Sequence, residues 1–455
     1  MFGVLNKVQK VMNSYAENDI IIALATPYGR SAIAVIRLSG DGCFDLVNKR
    51  LKRAVEINKI KYNEFGSADF EEKLMVVGYK APKSYTGEDM IELFPHGNPL
   101  VCDTIVRILI EDGARLAERG EFTNRAFTNG KIDLMQCEAL ADIIDAQTEE
   151  QLRYGNKRYD GEFKGLDEAE KLLNRALSTI EAVLHYGDEL EGEEVDNGLI
   201  NDVYGAIDEI IRRLEVEIDG YAGGRIVNDG FKVVIIGVPN VGKSTLLNVL
   251  TDSDRAIVTP IAGTTRDTVD GVYVFDGKKF VITDTAGMNE ETTDEVEKIG
   301  IERAKAAAIE ADAVIVMVAA DGKMPDFMPE NCKKVIVKNK CDDIADVGID
   351  YKRAENGEIL SISAKNNKNI TALKRKLYDI APKASGAVCN HRQYECVVRC
   401  LDACKAAKLE CEKKDGLEIV AAALYDAYAA IQKLYGKEAD ESVISSIFER
   451  FCVGK

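Results

Sequence analysis

The stretch Lys232-Val-Val-Ile-Ile-Gly-Val-Pro-Asn-Val-Gly-Lys-Ser-Thr-Leu-Leu-Asn-Val-Leu250 decides how this chain is read. An apolar run, a glycine-bounded loop and a second apolar run in helical spacing predict strand, loop and helix. In that setting G-x-x-x-x-G-K-S is a phosphate cradle. Gly237 and Gly242 let the backbone wrap an anion, and the helix start adds amide donors and a positive dipole end. Lys243 is placed for the β- and γ-phosphates and Ser244 for Mg²⁺. Asn240, Val241, Gly242, Lys243, Ser244 and Thr245 form the nucleotide-binding set of the loop.

Three further motifs follow apolar runs in a workable order. Asp284-Thr285-Ala286-Gly287 comes after Phe280-Val-Ile-Thr283, its Asp suited to water-mediated Mg²⁺ contact and its Gly to close approach of the γ-phosphate. Asn339-Lys340-Cys341-Asp342 comes after Val335-Ile-Val-Lys338. An Asp there accepts two hydrogen bonds from the N1–H and amine of guanine, which adenine does not offer. Ser363-Ala364-Lys365 closes the set behind the guanine oxygen. Each motif alone is weak, but four in register favour GTP over ATP. The segment Thr259-Pro-Ile261-Ala-Gly-Thr264-Thr265-Arg266-Asp267 is the candidate first switch loop, in which Thr265 completes the Mg²⁺ shell while the γ-phosphate is present.

Two absences shape the expected mechanism. Met288 follows Asp-Thr-Ala-Gly where Ras-type switches carry a water-orienting Gln. No arginine finger stands out in cis, with Arg266 left open; such a finger contributes roughly 10³–10⁵ in rate. The amide oxygen of Asn240, inside the phosphate loop, can ligate a monovalent cation at the place of a guanidinium.

The 455 residues are too many for one core, so two to four domains are expected. A hydrophobic share of 46% with 30% charged residues fits a globular chain in water. Apolar runs reach strand length only, and the first residues resemble neither a signal nor a transit peptide, so a cytoplasmic protein without a membrane span is expected. Eleven cysteines without a C-x-x-C pair argue for reduced thiols. Cys389, Cys396, Cys400, Cys404 and Cys411 form one helical stripe, read as core packing in preference to a metal or cluster site. A net charge of −18 is unexpected for a nucleic-acid binder, so any RNA contact must use a local basic patch or a partner's surface. The terminal Cys452-Val-Gly-Lys455 lacks the ending of a prenylation signal and reads otherwise as a free tail.

Strand-like and helix-like pieces alternate from Asp19 to Gly130, predicting an α+β domain. Helical spacing then runs from Met135 to Gly220 and returns at Leu417–Leu434. A GTPase module, Val227–Ala384, therefore interrupts a helical domain. The expected divisions are 1–130, 131–226, 227–384 and 385–455.

The segments Ala25-Thr-Pro-Tyr-Gly-Arg30, Ile36-Arg-Leu-Ser-Gly40, Ser84-Tyr-Thr-Gly-Glu-Asp89, Arg119-Gly-Glu-Phe-Thr-Asn-Arg-Ala-Phe127, Asn129-Gly-Lys-Ile-Asp-Leu134 and Asp294-Glu-Val-Glu-Lys-Ile-Gly-Ile-Glu-Arg303 carry a resemblance. With the Phe451-Cys-Val-Gly-Lys455 ending, the chain resembles the MnmE (TrmE) family of tRNA-modifying GTPases from Asp19 onward. The resemblance implies a multidomain α/β and α chain: an N-terminal α+β folate-binding and dimerisation domain, a discontinuous helical domain, and an inserted Ras-like P-loop GTPase domain. It implies a homodimer that works with an MnmG-type FAD protein, in a heterotetramer or larger complex. Together they would add a carboxymethylaminomethyl group to C5 of the wobble uridine of certain tRNAs. It implies 5-formyltetrahydrofolate as a ligand, with Arg37, Glu92 and Lys131 as contacts and Lys455 closing over it. It implies K⁺ activation and G-domain dimerisation, with the side chains of Asn240 and Thr264 and the backbones of Thr259 and Ile261 as K⁺ ligands. Glu297 matches the water-orienting acid, and Cys452 is a candidate redox or nucleophilic group by position. The competing reading is a regulatory or ribosome-assembly GTPase switch whose N-terminal domain only docks partners.

Overall fold

The structure, a computed structural model, describes residues 19–162, 164–186, 193–238, 240–252, 271–284, 307–318, 324–325, 327–329, 332–342, 351–354, 357–413 and 416–455. The N-terminal part runs β1 (Ile21–Leu24), β2 (Ser31–Ile33), β3 (Ile36–Ser39), α1 (Cys43–Asn48), β4 (Lys61–Ser67), β5 (Phe70–Tyr79), β6 (Met90–Phe94), β7 (His96–Gly97), α2 (Pro99–Glu111), β8 (Arg115–Leu116) and α3 (Glu121–Thr128). Six strands form one sheet in the order β4-β5-β6-β3-β1-β8, antiparallel except where β8 runs parallel to β1. Period-2 alternation sends Ile36 and Leu38 of β3, Ile91 and Leu93 of β6, and Leu74 and Val76 of β5 to one face, all fully or almost fully buried. Helices α1 and α2 supply Cys43, Leu46, Ile105 and Leu109 to the same core. Asn98 caps α2 through its side chain with Pro99 next in line, the pairing that helix starts favour.

Four helices follow: α4 (Leu134–Asp145), α5 (Glu149–Tyr159), α6 (Lys164–Tyr186) and α7 (Glu193–Asp229). The chain then enters β9 (Phe231–Gly237), α8 (Lys243–Asp252), β10 (Gly271–Phe275), β11 (Lys278–Asp284), β12 (Ala313–Val318), β13 (Lys333–Lys338), β14 (Tyr351–Ala354), β15 (Gly357–Ser361) and α9 (Ile370–Ile380). It ends in α10 (His391–Lys413), α11 (Leu417–Leu434) and α12 (Glu441–Phe448). Two compact units result. One holds the described chain up to Ala141 with Arg158–Gly161 and Tyr428–Lys455; the other holds Asp142–Lys157 and Glu162–Ala427.

In the second unit the strand order is β10-β11-β9-β12-β13-β15-β14. The five inner strands are parallel, and β10 and β14 are antiparallel edges. All six residues of β12 are buried, as expected for a strand covered on both faces. The run Val233–Ile236 feeds both layers. Val233 and Ile235 join the core under α8 and α9, while Val234 and Ile236 face the opposite one. Because β9 has β11 on one side and β12 on the other, its carboxyl end is a topological switch point, where such sheets bind ligands.

The same unit contains the helical layer, α7 packing against α6 and α10. Gly223 and Gly224 of α7 let the returning segment run against the helix: a Cβ on Gly223 would lie 2.1 Å from the Lys383 carbonyl oxygen. Glu217, about two turns earlier, accepts from the Ala387 amide at 2.7 Å, and the Tyr154 hydroxyl donates to the Gly386 carbonyl at 2.9 Å. Cys400, Cys404 and Cys411 are buried and Cys396 is half-buried along the packing side of α10, whereas Cys389, expected on the same helical stripe, is buried in the segment before α10, packed with Tyr154 and Val227. Among the described residues no helix is long and apolar enough to cross a membrane.

Candidate functional site

The phosphate loop leaves β9 at Gly237 and enters α8 at Lys243. Asn240 takes φ 59° and Gly242 φ 100°, the left-handed bends that turn the loop. Gly242 is also closely approached, since a Cβ there would lie 2.4 Å from Asn339 Nδ2. The Lys243 ammonium donates to the carbonyls of Gly237 at 3.1 Å and Val238 at 3.3 Å, so it bridges the loop mouth. Ser244 and Thr245 sit exposed in the first turn of α8, and Val241 is buried beneath them.

Asn339 ties the loop to the two base-recognition motifs. Its Nδ2 donates to the Val241 carbonyl at 3.0 Å and its Oδ1 accepts from the Ala364 amide at 3.0 Å. Lys340, at φ 63°, donates to the Asn240 carbonyl at 2.7 Å. The Ser363 hydroxyl donates to Asp342 Oδ1 at 2.5 Å, which orients the carboxylate. The sequence-predicted residues Asn240, Val241, Gly242, Asn339, Lys340, Asp342, Ser363 and Ala364 thus meet at the carboxyl end of the sheet. Asp284 ends β11 at the same sheet end, in register with Ile235 of β9. Thr259, Ile261, Thr264, Thr265, Thr285, Ala286, Gly287 and Glu297 lie outside the described residues.

The first unit carries a second site, a cavity of about 520 Å³. Arg37 and Glu92 stand opposite one another on β3 and β6. Arg37 donates from Nε at 2.9 Å and Nη2 at 2.8 Å to Glu92 Oε1, and from Nη1 to the Gly454 carbonyl at 3.3 Å. Its guanidinium also lies 5.4 Å from the Tyr85 ring centroid. Tyr79, Lys83, Ser84, Met90, Leu140 and Lys455 complete the wall with Tyr85. Burial pushes the Tyr85 hydroxyl up to about 12, and it pairs with Thr123 Oγ1 at 2.8 Å. Burial, then the nearby Arg37 charge, lowers the Lys455 ammonium below its ordinary value.

The C-terminal segment is built into this wall. Gly454, at φ 98°, sits where a Cβ would lie 2.6 Å from the Leu24 carbonyl oxygen, and Val453 bridges to Arg119. Cys452 is exposed beside them. Lys131 is not among the cavity-lining residues; its ammonium donates to the Pro82 carbonyl at 3.0 Å. Sequence reasoning passed over Ser84, Tyr85 and Tyr79 as site residues, although Ser84 and Tyr85 begin the Ser84–Asp89 motif. The buried Ser84 hydroxyl has no hydrogen-bond partner in the protein, which suits a polar ligand on that wall. Arg and Lys beside one carboxylate suit a molecule with both acid groups and a donor edge, as a reduced folate has.

Two family models match the chain: the GTP-binding protein TrmE N-terminus over residues 20–131 and the MnmE helical domain over residues 134–452. The tRNA modification GTPase MnmE of Pseudothermotoga lettingae is 37% identical, covering 96% of this chain and 100% of the relative. The namesake protein of Aquifex aeolicus is 35% identical over 96% of this chain and 99% of its own length. Among solved structures, the G domain of the T. maritima FeoB iron transporter aligns with 33% of this chain and 99% of its own at 20% identity, with a TM-score of 0.23.

Proposed function

This chain belongs to the MnmE (TrmE) family of tRNA modification GTPases, and on that premise we propose that it hydrolyses GTP to drive modification of the tRNA wobble uridine. The observation that carries the GTPase half is the double hydrogen bond of Asn339, which holds the phosphate loop and the guanine-side loop in one frame. Lys243 and the first turn of α8 take the phosphates, and Asp342, oriented by Ser363, takes the guanine edge. Ser244 and Thr265 would hold Mg²⁺, which spreads the charge developing on the phosphoryl oxygens. Asn240 and Thr264, with the Thr259 and Ile261 carbonyls, would hold K⁺, and Glu297 would orient water through a second water. G domains of two chains would face one another while GTP is bound.

In the first unit, Arg37, Ser84, Glu92 and Lys455 would bind 5-formyltetrahydrofolate, which supplies a one-carbon unit when bound. A cavity of about 520 Å³ is of the right order for such a ligand. The product reading is the carboxymethylaminomethyl group on C5 of the uridine, formed together with an MnmG-type FAD protein. Two experiments test these statements. Deleting the gene and analysing tRNA nucleosides by mass spectrometry should remove the modified wobble uridine; unchanged nucleosides contradict the reading. Hydrolysis by the purified chain should be faster in potassium than in sodium buffer, whereas equal slow rates remove the K⁺ site.

A further inference from the structure

We propose that the segment preceding β4, which lies along the outer edge of the β4–β5 hairpin, is the surface on which this chain takes up the phosphate backbone of tRNA. The inference rests on the tRNA-modification reading above and adds the place of contact. A net charge of −18 repels RNA over most of the molecule. Six of the thirteen residues from Lys49 to Lys61 are nevertheless Lys or Arg, against one acid, Glu56. That is a basic island in an acidic protein.

The island is rigidly mounted. Segment 50–53 pairs along the outer edge of β4, Lys52 N donating to the Glu64 carbonyl at 3.0 Å and Gly66 N to the Arg50 carbonyl at 2.9 Å. The Asn63 side chain clamps Arg53 from both sides, accepting from its amide at 3.2 Å and donating to its carbonyl at 2.7 Å. Arg50 turns inward to a bidentate pair with Asp112 and serves as an anchor. Lys52, Arg53, Lys59, Lys61 and Lys73 remain exposed. Lys59 and Lys61 share the single Glu56 carboxylate at 3.8 and 3.5 Å, and Lys52 meets Glu64 at 2.9 Å. Such exposed pairs are weak and exchange readily for phosphate oxygens.

Exposed apolar groups lie beside these cations. Tyr62 is 56% exposed, Ile60 61% and Ile57 48%, and Tyr62 stands directly opposite Met75 in the ladder. Tyr62 shares its sheet face with Lys73 and Glu64, and an exposed ring beside a basic segment is what unstacked bases and riboses dock on.

The register links this face to the cavity. Arg37, Glu92 and Val77 are successive partners across β3, β6 and β5. Period-2 alternation places Val77, Met75 and Lys73 on one side of β5, with Tyr62 opposite Met75. Tyr62 therefore shares a sheet face with the Arg37–Glu92 pair. Three strand spacings separate β4 from β3, about 14 Å at ~4.8 Å each. Backbone held at the hairpin would keep a neighbouring nucleotide close to the cavity.

The test uses the full-length chain and fluorescently labelled, in vitro transcribed tRNA across a potassium chloride series. The fourfold variant K52E/R53E/K59E/K61E should bind at least about 10²-fold more weakly at low salt, and the slope of log K against log salt should shrink by roughly 3. Tyr62→Ala should weaken binding about tenfold, the size of one lost base stack, with the slope unchanged. GTP hydrolysis reports that the variants fold, because none of these residues belongs to the nucleotide site. Acetylation footprinting of the unmodified chain gives a measure free of any substitution: tRNA should protect Lys52, Lys59 and Lys61. No binding by the wild-type chain, an unchanged slope, or no protection overturns the proposal. So does a fourfold variant that keeps tRNA and loses only a protein partner. If deletion abolishes the wobble modification while tRNA binding ignores the patch, the surface is wrong and the function reading stands.

Discussion

Around the phosphate loop, the groups that would grip a ligand are backbone amides and side chains from one strand–loop–helix turn, braced by Asn339. Around the N-terminal cavity they come from β3, β6, the 83–85 segment and the last residue of the chain, brought together only by the folded sheet. Two buried carboxylates differ in a comparable way. Glu121 of the first unit is matched with Arg115 and Arg125. Burial alone would raise Glu121, but hydrogen bonds from Arg115 and the Glu118 amide, and the charges of Arg115 and Arg125, hold it below the ordinary value. In the second unit burial raises Glu217, and the Ala387 and Val388 amides only partly offset that. One site depends on local backbone geometry, the other on long-range charge pairing, so they should fail to different perturbations.

The largest expected effect is at the loop. Lys243→Ala removes the ammonium that bridges the loop mouth and should cut GTP turnover by about 10²–10³, the loss seen when one preorganised charge-stabilising group goes. Ligand binding in the N-terminal cavity, followed by calorimetry, should be unaltered; a matching loss there would break the comparison.

Arg37→Ala is the converse. It strands Glu92 in a largely buried wall and should weaken 5-formyltetrahydrofolate binding by roughly 10–100-fold, on the scale of about 1.5–3 kcal/mol for a charged hydrogen bond. GTP affinity of the same variant checks that the charge pairing serves only its own site.

Asn339→Ala comes next. Two hydrogen bonds of a buried side chain are lost, at about 1 kcal/mol each, so GTP affinity should fall roughly tenfold to thirtyfold. Retained affinity would mean that the brace adds nothing to the cradle.

The smallest effects are in pH dependence and have opposite signs. Glu121 is depressed, so its contribution is fully present above its ordinary value of 4.5 and is lost as pH falls below it. Glu217 is raised, so the folded chain holds its proton more tightly than the unfolded chain. Stability there is highest below 4.5 and declines as pH rises through the window above it. Hydrogen exchange at Ala387, whose amide donates to Glu217, should quicken with rising pH beyond the intrinsic rate change. In Glu217→Gln that excess should vanish; an unchanged excess assigns it elsewhere.

Legibility in the sequence follows the same division. The loop, the Asn339–Asp342 motif and the Ser363–Ala364 turn could be read because each is contiguous and set by one turn of backbone. The strand–loop–helix context of Gly237–Ser244 is what the structure contains. The pairing of Arg37 with Glu92 was named only through family resemblance, since fifty-five positions separate them and strand register alone makes them neighbours. Ser84, Tyr79 and Leu140 were not named as site residues, because nothing in a single sequence says which strand, loop and helix positions face one cavity. The terminal Phe451–Lys455 segment had a free tail as one reading. Its packing depends on Gly454 fitting against the Leu24 carbonyl, a contact no local pattern announces.

The central claim is that both sites serve one tRNA product. It is tested most directly in a strain lacking the gene and carrying either wild type, Lys243→Ala or Arg37→Ala, with wobble-uridine nucleosides quantified by mass spectrometry. Wild type should restore the carboxymethylaminomethyl nucleoside and each single-site variant should fail to do so. Full modification in either variant would contradict the claim.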